Sequence, residues 1–413
     1  MTGARIAALE EPTERVPARW IMAITLTNIG LFTAWFGPIQ VLLGREAEKF
    51  APSHKEAALG VVVGAGAAVA VVASPLFGAL SDRTTSRFGR RLPWVVGGVV
   101  TGVLSLLLVA FAPNVAVLAV GWCLVQLTLN ASFAAIVAAV PDRVPHAQRG
   151  MVGGWFGVAQ TVGIVAGGGL AAASSGLVAG YLACIAVLAV LTVPFLVVHK
   201  DSVLDPALRP AWDLRALLRG FWVDPRRYPD FGWAWLTRFL INLGNSIPLV
   251  YLLYYLQDAV RYADPDTGVV VLTAAYAATM LATVVVGGVA SDRSGRRKIF
   301  VLGSGVVMAG AALILAGWQT FPGAIVAAAV LGLGFGVYTS VDFALLTEVL
   351  PKAVDRAKDL GVINIASTLP QVLAPAIAAP VVTYLGGYPV LYTVSAALGL
   401  TGAVLVYRIR AVR

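Results

Sequence analysis

Two charged side chains stand deep inside long apolar runs: Arg238 in FGWAWLTRFLINLGNSIPLVYLL (231–253) and Asp342 in GFGVYTSVDFALLTEVL (334–350). Placing one charge in the middle of a lipid layer costs about 2.5–3.5 kcal/mol on insertion scales, so such a residue is there for a reason. Arg238 lies seven residues in from Phe231 and Asp342 nine before Pro351. At 1.5 Å rise per residue both sit roughly 10–14 Å from one end of their helices. An acid and a base at matched depth are expected to pair, and a pair that opens can be linked to a ligand or to a proton. The alternative is a static bridge that fixes helix packing, since removing either partner leaves a costly uncompensated charge.

Polar residues recur around these two at helical spacing. Arg238, Asn242 and Asn245 fall at i, i+4 and i+7, as do Asn364, Thr368 and Gln371, while Tyr338 and Asp342 share a face. In the first half of the chain Gln126 and Asn130 are one turn apart, and Asn28, Phe32 and Trp35 form a stripe. Amides beside aromatic rings suit a polar ligand with an apolar face, such as a sugar or glycoside. Taken singly, each amide is more often an interhelical hydrogen bond. Cys123 and Cys184 fall inside apolar runs and read as small packing residues. His54, His146 and His199 have no companion at metal-ligand spacing, so no metal or cofactor is expected. Paired catalytic carboxylates, a nucleophile triad and a phosphate-cradling loop are all missing, and the chain does not read as an enzyme.

The elements that position these residues must be membrane helices. The chain is 59% hydrophobic and 12% charged, about half the charge of a soluble domain, and only lipid can solvate so much apolar surface. Apolar runs of about twenty residues can be placed twelve times, at roughly 20–43, 57–80, 92–112, 115–140, 151–174, 176–198, 231–257, 269–290, 298–318, 323–350, 359–384 and 387–407. With the N-terminus placed inside, 25 of the 30 Lys and Arg residues fall in inner loops and tails, 4 in outer loops and one, Arg238, in a span. That bias puts both termini in the cytoplasm, and the formal charge of +9 is explained by orientation and not by a nucleic-acid partner. The expected organisation is a cytoplasmic tail (1–19), a six-helix bundle (20–198), a cytoplasmic linker (199–230), a second six-helix bundle (231–407) and a short tail (408–413). Trp212, Leu217, Leu218 and Phe221 in the linker suit a short helix on the inner leaflet or a plain tether. Runs such as GIVAGGGLAAASSG let helices approach closely, and Pro38, Pro248, Pro370, Pro375 and Pro380 are expected to bend theirs.

One stretch is used twice. GALSDRTTSRFGRR at 78–91 returns in shortened form as GVASDRSGRR at 288–297; Asp82 and Asp292 are 210 residues apart, as are the prolines Pro141 and Pro351, read as helix ends. Two six-helix halves, the charge bias and this duplicated hairpin resemble the major facilitator superfamily of secondary transporters. The longer first hairpin, SDRTTSRFGRRLPW, resembles more narrowly the branch of sucrose transporters and glycoside-pentoside-hexuronide cation symporters.

The resemblance implies an all-α membrane fold of two pseudo-symmetric bundles that alternate access to a central site, formed mainly by the first and fourth spans of each half. It also implies a gating role for the hairpins, through Gly78, Asp82, Arg83, Gly89, Arg90 and Arg91 and through Gly288, Asp292, Arg293 and Arg296. In this reading the glycines admit a neighbouring helix and the aspartates accept hydrogen bonds from a facing helix N-terminus and from loop arginines; pinning topology is the plainer alternative. The first six spans show no buried acid, where the sugar symporters generally carry one, so Asp342 is the expected proton carrier. Asp142 and Glu348 read as loop anchors together with Arg143, Arg149 and Arg356. The expected function is proton-coupled transport of a sugar or glycoside across the cytoplasmic membrane, by a protein whose partners are its solute and lipid and which is expected to act as a monomer. A drug or secondary-metabolite exporter and a non-transporting receptor of the same fold are the alternatives.

Overall fold

The computed structural model describes residues 12–199, 201–208, 226–349 and 356–410. The expected linker helix around Trp212–Phe221, Pro351, and the ends of both tails lie outside these residues. Within them the chain is helical, with no strand. The helices are α1 (Ala18–Gly37), α2 (Leu43–Phe50), α3 (Lys55–Asp82), α4 (Leu92–Ala110), α5 (Val115–Arg143), α6 (His146–Ala173), α7 (Leu177–Val198), α8 (Pro229–Val250), the single turn α9 (Leu252–Tyr254), α10 (Pro265–Ser294), α11 (Arg297–Gly317), α12 (Phe321–Val349), α13 (Arg356–Tyr384) and α14 (Gly387–Leu405). Eleven helices are long and apolar enough to cross a membrane, and twelve if α8 and the segment after it, bent by 48°, form one span.

Proline placement explains two departures from the expected spans. Pro38 opens a π turn, Pro38–Leu42, that joins α1 to α2 without a break, so the first apolar segment runs from Ala18 to Phe50. Thirty-three residues reach about 50 Å, longer than a straight crossing of a hydrocarbon layer of about 30 Å requires. In the second half Pro248, 210 residues later, lies two residues before α8 ends, and a second π turn follows at Tyr255–Ala259. Pro141 does not end a helix as expected. It sits within α5, which runs on to Arg143, because the ring's fixed φ fits a helix and so close to the end only one backbone bond is lost.

Contacts divide the chain into two compact units, residues 1–55 with 65–212 and residues 56–64 with 213–413. Each repeats one neighbour scheme. In the first, α1 lies along α6 and α7 while α4 lies along α5 and α7; in the second, α8 lies along α13 and α14 while α11 lies along α12 and α14. Lipid gives no hydrophobic drive for these contacts, so they depend on close backbone approach. A Cβ at Gly167 of α6 would come 2.7 Å from the backbone nitrogen of Gly37 and 2.8 Å from the Thr33 carbonyl oxygen on α1. Cys184 of α7 fills the space beside Gly37, so this cysteine is a packing residue.

Candidate functional site

In the second unit the two lone charges meet. The Arg238 guanidinium, on α8, forms an ion pair with the Asp342 carboxylate, on α12, through Nη1 and Oδ2. Tyr338, one turn before Asp342 and 1% exposed, donates its hydroxyl to Oδ1 at 3.1 Å. Arg238 Nε donates to Ser367 Oγ on α13 at 2.6 Å. Three helices therefore converge on one pair, with both carboxylate oxygens and two guanidinium nitrogens engaged. Tyr338 and Asp342 are buried, while the Arg238 side chain keeps 19% of its surface exposed. A network this complete is stable only while all its members are present.

The remaining expected members of this unit differ among themselves. Asn242 turns its amide back to the Arg238 carbonyl at 2.8 Å, and Asn245 is buried with its side-chain oxygen unpaired. Gln371 is exposed, and the side chains of Asn364 and Thr368 lie outside the described residues. Ser367 was not singled out from sequence, because a serine in a small-residue helix gives no signal until its partner is known. A small apolar hollow opens beside Pro248, lined among others by Leu272, Thr273, Tyr276 and Leu331, and neither Arg238 nor Asp342 reaches it.

In the first unit the expected polar stripe is mostly closed. Asn28 is fully buried and donates to the Ile24 carbonyl of its own helix, leaving Oδ1 unpaired. Gln126 and Asn130 bond to each other at 3.1 Å on α5. Trp35 packs edge-on against Phe32 and against Phe133 of α5, each at 5.7 Å, and its indole nitrogen has no partner. These rings join α1 to α5, and Trp35 Nε1 and Asn28 Oδ1 are among the buried polar atoms of this unit without a hydrogen-bond partner.

The expected first span, 20–43, carries no acid, but the helical segment continues to Phe50 and its extension does. Glu46 on α2 is 2% exposed and accepts a hydrogen bond from Tyr181 of α7 at 2.9 Å. Its neighbours Arg45, Glu48 and Lys49 made the segment read as a loop; the π turn carries the helix through it and turns Glu46 inward.

The first hairpin is a closed charge cluster. Asp142, at the end of α5, takes Arg90 at 2.6 Å and Arg91 at 2.8 Å, and Arg91 also reaches Ser81 and Asp82 at 2.5 Å each. Asp142 thus anchors the hairpin. Burial works against the charge on Arg91, yet Asp142 and Asp82 outweigh it and push the guanidinium above its ordinary value.

Among the described residues a Cβ at Gly78 would meet nothing within 4 Å, and at Gly288 the nearest atom would be Ser340 Cβ at 3.5 Å, an ordinary contact. The N-terminus of α4 is capped from far along the chain. Asp201 Oδ2 accepts the Arg91 and Leu92 amides at 2.6 and 2.7 Å. Burial pushes the Asp201 carboxyl up, but the adjacent His199 imidazole and those two amides together hold it below the ordinary carboxylate range. His199 is itself fixed by Trp20, whose indole donates to Nδ1 at 3.1 Å. Gly89, at φ +100°, leaves the space the Asp201 side chain occupies. In the shorter second hairpin Arg293 and Arg296 are exposed, Gly295 at φ +61° ends α10, and the side chain of Asp292 lies outside the described residues.

Comparison with known proteins agrees with this architecture. Among curated proteins none matches the chain in sequence. The human organic anion transporter MFSD10 (TETRAN) superposes with a TM-score of 0.70 at 16% identity, and the nucleoside transporter NupG with 0.74 at 12%; each match covers 95% of this chain and 100% of the other. At such identities the likeness is one of fold. The sequence model of the Major Facilitator Superfamily matches residues 18–272 and 265–413, and with two six-helix halves built to one scheme the chain belongs to the major facilitator superfamily, as a multi-pass membrane transporter.

Proposed function

We propose that this transporter moves a polar organic solute, a sugar or glycoside, across the cytoplasmic membrane by alternating access, coupled to protons, with both termini in the cytoplasm and one chain forming the working unit. The observation that carries the reading is the Arg238–Asp342 ion pair, with Tyr338 and Ser367 bound to it. A solute hydroxyl that takes a guanidinium N–H of Arg238 weakens the pair. Asp342 then loses its counter-charge in a site shielded from water and takes up a proton, so solute and proton occupy the site together. Tyr338 keeps a hydrogen bond to the carboxyl in either state. The hairpins around Asp82 and Asp292 act as gates, and the first does so as a rigid cluster held by Asp142 and Asp201.

Two features support a polar solute with an apolar face: the Asn242 and Asn245 turns next to Arg238, and the Phe32–Trp35–Phe133 ring cluster in the first unit. That ring cluster also favours a second reading, an exporter of a flatter, more apolar compound. Proteoliposomes with a trapped pH indicator separate the two. Addition of sucrose, a glucoside, a nucleoside, an organic acid or a hydrophobic cation is expected to move protons only with the sugar-like solutes. Proton movement with the hydrophobic cation alone would establish the second reading, and solute flux without proton movement would overturn coupling.

A further inference from the structure

One titratable group plays no part in this scheme. Glu46 is the only glutamate buried among the described residues. Its one hydrogen bond comes from the Tyr181 hydroxyl at 2.9 Å, and no cation lies within ion-pair distance. Arg45, one residue earlier, is taken by Glu48 at 3.3 Å, and Lys55 also faces Glu48, at 3.8 Å. Lys49, one turn on, is exposed. From α7 the facing titratable groups are Tyr181 and the buried thiol of Cys184; the first two turns of α5, Val115–Trp122, contain none.

The second unit supplies an internal control. There Asp258, in the π turn after α9, accepts the hydroxyl of Tyr388, in the first turn of α14, at 3.1 Å. In both halves, then, an acid beyond the first helix's proline is tied to a tyrosine near the start of the sixth. That shared join is a packing device. Burial is not shared: Asp258 is exposed, whereas Glu46 is enclosed at 2%. A join alone does not require enclosure, since the second half makes it in water. An enclosed carboxyl without a cation is more stable as the neutral acid, which can also donate a hydrogen bond that a carboxylate cannot.

We propose that Glu46 is a proton-binding site of the first unit, with its protonated carboxyl held against Tyr181 and its ionisation loosening α2 from α7. The π turn at Pro38–Leu42, immediately before α2, is where that loosening is taken up, since π turns inside helices are frequent at functional sites. The proposal goes beyond the transport reading and does not depend on it.

Infrared difference spectroscopy of the full-length protein in lipid, titrated from mildly acidic to alkaline pH, tests it with the proton as the probe. The wild type is expected to lose a carboxylic-acid carbonyl band during the titration. Carboxyl-13C glutamate should shift that band and 13C aspartate should not, which separates Glu46 from Asp342 without any substitution. Glu46→Gln should abolish the band and Tyr181→Phe should change its frequency, while Asp342→Asn leaves it in place. A band that moves with aspartate label, survives Glu46→Gln, or is absent from the wild type at mildly acidic pH would overturn the proposal, whether or not the protein transports a sugar.

Discussion

Arg238 and Asp342 satisfy each other in surroundings where neither can be left alone. Removing one partner of a buried pair costs about 3–5 kcal/mol, because the survivor keeps its charge without compensation. Arg238→Ala and Asp342→Ala are therefore each expected to lower stability by that order, and the double variant by clearly less than their sum, as measured by thermal unfolding in detergent as a double-mutant cycle. Asp201 gives a prediction with pH. Its carboxyl lies below the ordinary value in the folded protein, so the stability it contributes is present above about pH 4, the unfolded carboxylate value, and is lost as pH falls through the lower folded value. Asp201→Asn should cost about 1.5–3 kcal/mol at neutral pH, the range for a hydrogen bond to a charged group, and the gap from wild type should close in strong acid. The two lone charges were legible in the sequence because charge is rare in apolar runs. Ser367 and Asp201 were not, since each matters only through a partner 129 and at least 109 residues away.

At the scale of elements, tight contacts fall where the sequence is rich in small residues, and they can be tested by adding one methyl group. Gly167→Ala sets a Cβ against the Thr33 carbonyl and the Gly37 amide of α1, backbone atoms that cannot turn aside. Overpacking of this kind costs about 1–3 kcal/mol, and the variant should unfold at a lower temperature while Gly169→Ala, whose Cβ would meet nothing within 4 Å, stays close to wild type. Gly89→Ala combines a left-handed backbone, φ +100°, with collision against Asp201. It should destabilise at least as much as Asp201→Asn, and the two losses should not add, because both release the same cap on α4. Hydropathy located the spans well because a bilayer demands twenty apolar residues whatever surrounds them. It missed the continuation of α1 through its π turn into charged α2, since burial of Glu46 depends on Tyr181 and not on local composition.

For the whole molecule, duplication was the most legible property. Hairpins and prolines 210 residues apart stated the two-half plan in advance, and the neighbour scheme within each unit repeats it. The solute was less legible, because its site is made of single side chains on helices distant in sequence, and an amide on such a helix serves packing as readily as binding. The proposed coupling depends most on Asp342 being the carrier of the proton. Reconstituted wild type and Asp342→Asn should be compared in two modes, exchange of labelled glycoside between equal pools and accumulation driven by an imposed pH gradient. The account predicts that Asp342→Asn retains exchange and loses gradient-driven accumulation; accumulation by the variant equal to that of wild type would contradict it.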